Sequence, residues 1–295
     1  MKRTKSISKA TAPVSTIGIA HGAATQAQPS RGKVLVVMSG EHVLTLRDGT
    51  PYATGYYLNE VAIPLQALIG AGYTPVFANP NGDTPSMDAS SNVDKFFGGD
   101  AAKRFAALRL VDSLPGLRQP LKLSEVVGDT KEYSAIFVPG GHAPMIDLVS
   151  NKDLGIILRD FHETARPTAL ICHGPVALLS TLPDAGRFDQ ALNSGNTAAL
   201  PKLAHDFPYT GYRVAVFSKV EELEIEAPQL GGPAPYYNDE AMAAAGTKVE
   251  NAAPWHPNVV QDRELITGQQ PFSDHLFAEA LLAKLVASRG SNQVV

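Results

Sequence analysis

Five short, continuous apolar runs separated by stretches of helical spacing govern the chain from Lys33 onward: Val34 to Met38, Pro75 to Ala78, Ala135 to Val138, Ala169 to Ile171 and Val214 to Phe217. A strand that is apolar at every position has no side suited to water, so it must be covered on both faces. Helical patterns at Leu58 to Ala71, Leu154 to Ala165 and Val176 to Leu182 lie between the runs and supply that cover. The order predicts an α/β fold: a flavodoxin-like (Rossmann-like) parallel sheet sandwiched by helices. In such a fold the functional groups sit on loops at the C-terminal ends of the strands.

One such domain is expected over residues 32–288, with a short tail at 289–295. Residues 87–130 are too long for a simple crossover and read as an inserted cap, with a helical stretch at Ala101 to Leu114. A second cap is expected at 224–246, which is polar and proline-rich. Residues 1–31 begin with Lys2, Arg3, Lys5 and Lys9 and offer small-residue cleavage sites at Ala23, Ala24 and Ala27. The stretch between has no Leu or Phe, so it reads as a disordered tail or a weak signal peptide. A cytoplasmic location is expected, or a periplasmic or secreted one if the signal works.

Several function classes are excluded by composition. A net charge of −4, with no Lys/Arg run beyond the first ten residues, gives no footprint for nucleic acid. No apolar stretch approaches the roughly 20 residues that span a bilayer. A single cysteine makes no internal disulfide, and no Cys-x-x-Cys or His-x-x-x-His cluster suggests a metal cage, so neither metal nor cofactor is expected.

That cysteine, Cys172, stands where an apolar run breaks into a helical pattern, followed by His173, Gly174 and Pro175. At such a turn the sulfur meets first-turn N–H groups and the positive end of a helix dipole, which favour thiolate. A buried cysteine acting as a small hydrophobe is the competing reading. The neighbouring histidine and glycine favour a nucleophile.

Such a nucleophile needs a proton partner. His173 is adjacent, although neighbouring side chains at a helix start diverge. Glu60 opens the helix after the first run. There it reads equally as an acid that complements the helix dipole and as a group beside the sulfur. Glu222 follows the Val214 to Phe217 run. By position it fits a solvated patch with Glu221, Glu224 and Glu226 better than a carboxylate that orients a histidine. His142 reads either as a pocket residue or as a structural hydrogen-bonder. Trp255 and His256 read as a packed loop more readily than as a pocket wall.

Four ordered blocks, Ala169 to Pro175, Val138 to His142, Gly55 to Glu60 and Leu265 to Gln269, resemble the ThiJ/PfpI superfamily, specifically its heat-shock-chaperone and glutathione-independent glyoxalase branch. The resemblance runs from about Lys33 to Ala287. It implies that Cys172 is the nucleophile, that His173 pairs with Glu222, and that Glu60 touches the sulfur. The implied chemistry is conversion of a 2-oxoaldehyde such as methylglyoxal to a 2-hydroxy acid, D-lactate, through a cysteine hemithioacetal. Gly140, Gly141, His142, Gly174 and the His173 amide are candidates to hold the oxyanion or the substrate. The metal-binding residues of the branch have no match here. A homodimer acting on a small molecule is expected.

Rival readings remain. A holding chaperone or a protein deglycase of the same superfamily shares these residues, and a cysteine peptidase would build its site at an oligomer interface. A glutamine amidotransferase is excluded, since it wants Gly-x-Cys-x-Gly and His-x-Glu, which this chain lacks.

Overall fold

A seven-stranded sheet carries the molecule, and its order explains where the chemistry gathers. In the computed structural model, which describes residues 30–291, the strands are β1 (Lys33–Val37), β2 (Val43–Thr45), β3 (Pro51–Ala53), β4 (Thr74–Asn79), β5 (Leu121–Lys122), β6 (Tyr133–Val138), β7 (Thr168–Ile171), β8 (Arg213–Val214), β9 (Lys248–Val249), β10 (Val259–Asp262) and β11 (Leu265–Gly268). The main sheet runs β10-β11-β7-β6-β1-β4-β5, and every pairing in it is parallel except β10 with β11. The chain leaves β1 towards β4 and β5 on one side, then returns to β6 on the other. The strand order therefore reverses beside β1, and the C-terminal ends of β1, β6 and β7 open on one crevice.

Both faces of the sheet are buried, as the continuous apolar runs require. Leu35, Val37, Ile136 and Val138 pack into one core; Val34, Val36, Ala135 and Phe137 pack into the other. Five of the helices bear on the site or its support: α1 (Leu58–Gly70), α2 (Ala101–Asp112), α3 (Lys152–Glu163), α4 (Lys219–Ile225) and α5 (Asp274–Ser291). Helix α1 packs between α5 and α2, the latter from the stretch 87–130, whose β5 joins the edge of the main sheet instead of a cap. Among the described residues no helix is long and apolar enough to cross a membrane.

Two expected elements take another form. Of the Val214 to Phe217 run only Val214 enters a strand, β8, and that strand pairs with β9 outside the main sheet. The place beside β7 is taken by β11. The remaining amides of the run find separate acceptors: Ala215 donates to Thr267 Oγ1, Val216 to Asn251 Oδ1 and Phe217 to the Cys172 carbonyl. The expected helix after Cys172 is a 3₁₀ turn, Gly174–Thr181. Ser180 and Thr181 hydroxyls donate back to the carbonyls of Ala177 and Leu178, in keeping with a tighter winding.

At the termini, the basic start and its cleavage sites lie outside the described residues. Arg31 already joins the fold through a bond from its amide to the Gly72 carbonyl. Helix α5 runs on to Ser291, past the expected end at 288.

Candidate active site around Cys172

Cys172 follows β7 directly and holds a left-handed backbone, φ +64°, that few non-glycine residues adopt. Two bonds keep it there. Its amide donates to the Gly268 carbonyl at 2.8 Å, and its carbonyl accepts from the Phe217 amide at 3.0 Å. The sharp turn explains why His173 does not diverge from the sulfur. His173 Nδ1 lies 3.2 Å from Cys172 Sγ, and both residues are almost wholly buried.

The crowding at this elbow accounts for its glycines. A Cβ on Gly140 would lie 2.5 Å from the Cys172 Cβ and 2.6 Å from a Glu60 oxygen. Gly141, at φ +87°, would place one 1.9 Å from the Gly55 carbonyl oxygen. Of the groups expected to face an oxyanion, the amides of Gly141 and His173 act on the sulfur, favouring its anion. The Gly140 amide is engaged elsewhere, donating to Glu60 Oε2 at 3.0 Å. Gly174 lies under the Val138 carbonyl and does not line the cavity.

Glu60 is fully buried in the first turn of α1, beside the Cys172 thiol, and its Oε2 accepts from the Gly140 amide. Its Oε1 has no partner. Burial pushes its pKa up to about 8, against the hydrogen bonds from Cys172 and Gly140, so the carboxyl carries a proton at neutral pH. Burial and the nearby Glu60 also push the Cys172 thiol well above its usual value, despite the Gly141 and His173 amides. The expectation of a resting thiolate is thereby corrected. Only a short 3₁₀ turn follows the cysteine, and desolvation outweighs what its amides provide.

Glu222, in α4, is buried and bridges two histidines. Its Oε2 lies 2.7 Å from His173 Nε2, and its Oε1 lies 2.7 Å from His142 Nε2. Burial alone would raise this carboxyl, but the two imidazoles hold it well below the usual range. His173 is pushed down to about 4, by burial first and then by the charge on His142, against the pull of Glu222. For His142 burial is outweighed by Glu222, and its pKa is raised.

The expected solvated acidic patch breaks up: Glu221 and Glu222 are buried, Glu226 is half-buried and only Glu224 is exposed. Glu221 is fully buried and takes hydrogen bonds from the Ser218 amide and hydroxyl, the Trp255 amide and Gln269. It fixes the loop above the site to α4. Trp255 Nε1 bonds Glu224, and the Ala234 amide and Tyr237 hydroxyl bond Glu226.

Among the described residues, His142, His173 and Glu222 are the one group of three whose potential metal-ligating atoms lie within 4.8 Å of one another. Each Nε2 lies 2.7 Å from a different carboxylate oxygen, so here the carboxylate acts as a shared acceptor.

The cavity over the sulfur is small. Its volume is about 20 Å³, against the roughly 10–15 Å³ that one water needs. Tyr57, His142, His173 and Phe217 line it from the domain, and Lys95, Phe96, Ile225, Gln229, Trp255 and Pro271 close it. Trp255 is thus a pocket wall, contrary to the packed-loop reading, while His256 is exposed. Gln229 escaped the sequence reading. It sits in a π turn, Glu226–Leu230, and donates to the hydroxyls of Tyr52 and Tyr57 at 3.1 and 3.0 Å. Nothing in its proline-rich surroundings signals that placement. A roomier depression of about 620 Å³, lined by Leu192, Lys219, Tyr236 and Tyr237 among others, contains none of the groups around the sulfur.

Comparison with known proteins places this geometry in context. The profile of the family described as ThiJ/PfpI family-like matches residues 52–213, more than half of the chain. A protein/nucleic acid deglycase HchA of Pseudomonas aeruginosa is 26% identical over 251 residues, covering 82% of this chain and 77% of its own. The HchA deglycase of Staphylococcus aureus (strain bovine RF122 / ET3-1) is 28% identical over 277 residues, 92% of this chain and 85% of its own. Among solved structures, glyoxalase III from Candida albicans shares the fold with a TM-score of 0.64 at 22% identity, covering 86% of this chain and 97% of its own.

Proposed function

The chain belongs to the ThiJ/PfpI-like family, and from that membership and the groups packed around Cys172 we propose that it is a glutathione-independent glyoxalase, converting small 2-oxoaldehydes such as methylglyoxal to 2-hydroxy acids. One observation carries the choice of substrate. The cavity over the sulfur, about 20 Å³ and walled by Trp255, Phe96 and Gln229, has room for little more than one water, so any substrate must part these side chains; that favours the smallest 2-oxoaldehydes over a side chain on a folded protein.

The proposed cycle balances with the groups present. Cys172 Sγ bonds to the aldehyde carbon as its proton passes to His173 Nδ1, 3.2 Å away. The Gly141 and His173 amides, already at the sulfur, are the donors nearest to the new oxyanion. Protonated Glu60 gives that oxygen its proton, which leaves a hemithioacetal and a carboxylate beside the carbon that must lose hydrogen. Glu60 takes this hydrogen, and His173 returns its proton to the neighbouring ketone oxygen, forming an enediol. Glu60 then protonates the second carbon and recovers a proton from the hydroxyl of the first, leaving a 2-hydroxy thioester. Water attacks with His173 as base, the carbon–sulfur bond breaks, and the thiol regains its proton. Glu222 orients His173 and stabilises its cation throughout.

A second reading draws on the names of the curated relatives: removal of 2-oxoaldehyde adducts from proteins or nucleic acids. The two are separated by supplying methylglyoxal free or preformed on an N-acetylated arginine or lysine, without glutathione, and following lactate. Loss of adduct no faster than its spontaneous release of free aldehyde supports the glyoxalase. Adduct loss faster than spontaneous release supports the deglycase, and no lactate from either source overturns both.

A further inference from the structure

Two buried imidazoles share the single carboxylate of Glu222, one on each oxygen, with ring centroids 4.0 Å apart. The sequence places His142 after β6 and His173 after β7, in neighbouring strands, so the sheet brings them side by side. For both contacts to be hydrogen bonds, both Nε2 atoms must carry hydrogen. The Nδ1 of His173, when that ring is neutral, is then a bare acceptor beside the thiol. The Nδ1 of His142 is buried and has no partner.

We propose that His142 is a positioning residue that holds the positive charge of this pair, keeping His173 neutral and its Nδ1 free to take the Cys172 proton. Two adjacent imidazolium ions against one carboxylate would leave an uncompensated buried charge, so one proton is shared between them. Geometry separates the two rings: His173 Nδ1 lies 3.2 Å from Cys172 Sγ, where it must stay bare to accept the proton of the resting thiol, whereas His142 Nδ1 faces no donor. Glu222 from α4 and Asp88 act on both imidazoles, and the Tyr52 ring from β3 meets His142 edge-on. The opposite displacements of the two imidazoles, His142 up and His173 down to about 4, agree with the division. The proposal rests on Cys172 and His173 acting as described above, and it does not depend on which aldehyde is turned over.

The test is ¹⁵N NMR titration of the two buried imidazoles in the full-length Cys172→Ser protein, where no thiolate perturbs them. Loss of a signal in each single variant separates them from the others among the eight histidines of the chain. The unmodified pair should show His142 cationic and His173 neutral at pH 6. His142→Gln, which keeps an N–H for Glu222 but no charge, should raise the pKa of His173 by about one unit or more. With Cys172 intact, the acid limb of kcat/KM should move up with it. A purely structural His142 would lower activity equally at every pH and leave His173 unmoved, which overturns the proposal. If His142→Gln fails to fold, the unmodified pair still decides: two imidazoles titrating together near pH 6.5 overturn it, and a split pair supports it. A wrong substrate would abolish the activity readout and leave the NMR result standing.

Discussion

The Phe217 amide donates to the Cys172 carbonyl at 3.0 Å, and this bond ties the segment that leads into Glu222 to the elbow that carries the sulfur. Ser218, next in the chain, caps α4 and sets Glu222 in its first turn, where it reaches His173 at 2.7 Å. The acid of the proposed triad is therefore positioned by backbone pinned to the nucleophile itself. Phe217 adds a stacked contact with His173, ring centroids 4.5 Å apart.

Cys172→Ser should remove glutathione-independent lactate formation, with a loss on the order of 10³-fold or more, while the thermal midpoint stays within a few degrees. Lactate release and a circular dichroism melt on the same sample check both halves. Turnover at the unmodified rate would end the nucleophile assignment.

Glu222 and Glu221 are adjacent, and their substitutions should fail in different ways. Glu222→Gln should lower kcat by about 10²-fold or more, because His173 loses the charge that orients it and stabilises its cation. Glu221→Gln leaves that contact intact but turns one acceptor oxygen of a fully buried carboxylate into a donor, facing the Ser218 and Trp255 amides and Gln269. It should cost about 1–3 kcal/mol of stability with modest effect on kcat in the protein that remains folded. Urea unfolding alongside kinetics separates them; equal effects on both measures would remove the distinction.

How far the sequence could be read follows from which groups are local. Val34 to Val37 and Ala135 to Val138 announce buried parallel strands because burial on both faces leaves no polar position. Val214 to Phe217 carries the same signal and misleads, since its amides are satisfied by Thr267, Asn251 and Cys172, contacts that no local pattern displays. Cys172 and His173 are neighbours and stand out together. Glu222 and Glu60 could be matched to them only through family resemblance, because the helix-start and acidic-patch readings were equally open or better by position alone. His142's share of Glu222, 80 residues away, and Gln229's seat over the cavity come from tertiary packing.

The raised pKa of Glu60 links its proton to folding. Its carboxyl holds a proton up to about pH 8 when folded, but only to about 4.5 when unfolded. Between those values the folded state binds more protons, so this group's contribution to stability is present at low pH and is lost as pH rises towards 8. The difference in unfolding free energy between the unmodified protein and Glu60→Gln should therefore drift against the unmodified protein from pH 5 to 8. Parallel urea titrations across that range measure it. A pH-independent difference would mean that Glu60 is ionised in the folded protein. Activity should also decline above about pH 8, and Glu60→Gln, which cannot exchange a proton, should be inactive at every pH.

Trp255 closes the cavity with an indole held by its amide on Glu221 and by Nε1 on Glu224. Its backbone is left-handed, φ +63°, so the ring's place depends on those anchors and on edge-on packing against Phe217, 5.9 Å between centroids. Replacing Trp255 with Ala opens the wall without touching Cys172, His173, Glu60 or Glu222. The unmodified enzyme should discriminate against phenylglyoxal in favour of methylglyoxal, because from a cavity of about 20 Å³ the wall must open much further for a phenyl ring than for a methyl group. In Trp255→Ala the ratio of kcat/KM for phenylglyoxal to that for methylglyoxal should rise by about tenfold or more, the scale on which pocket shape discriminates between substrates. An unchanged ratio would place the size limit at Phe96 and Gln229 instead.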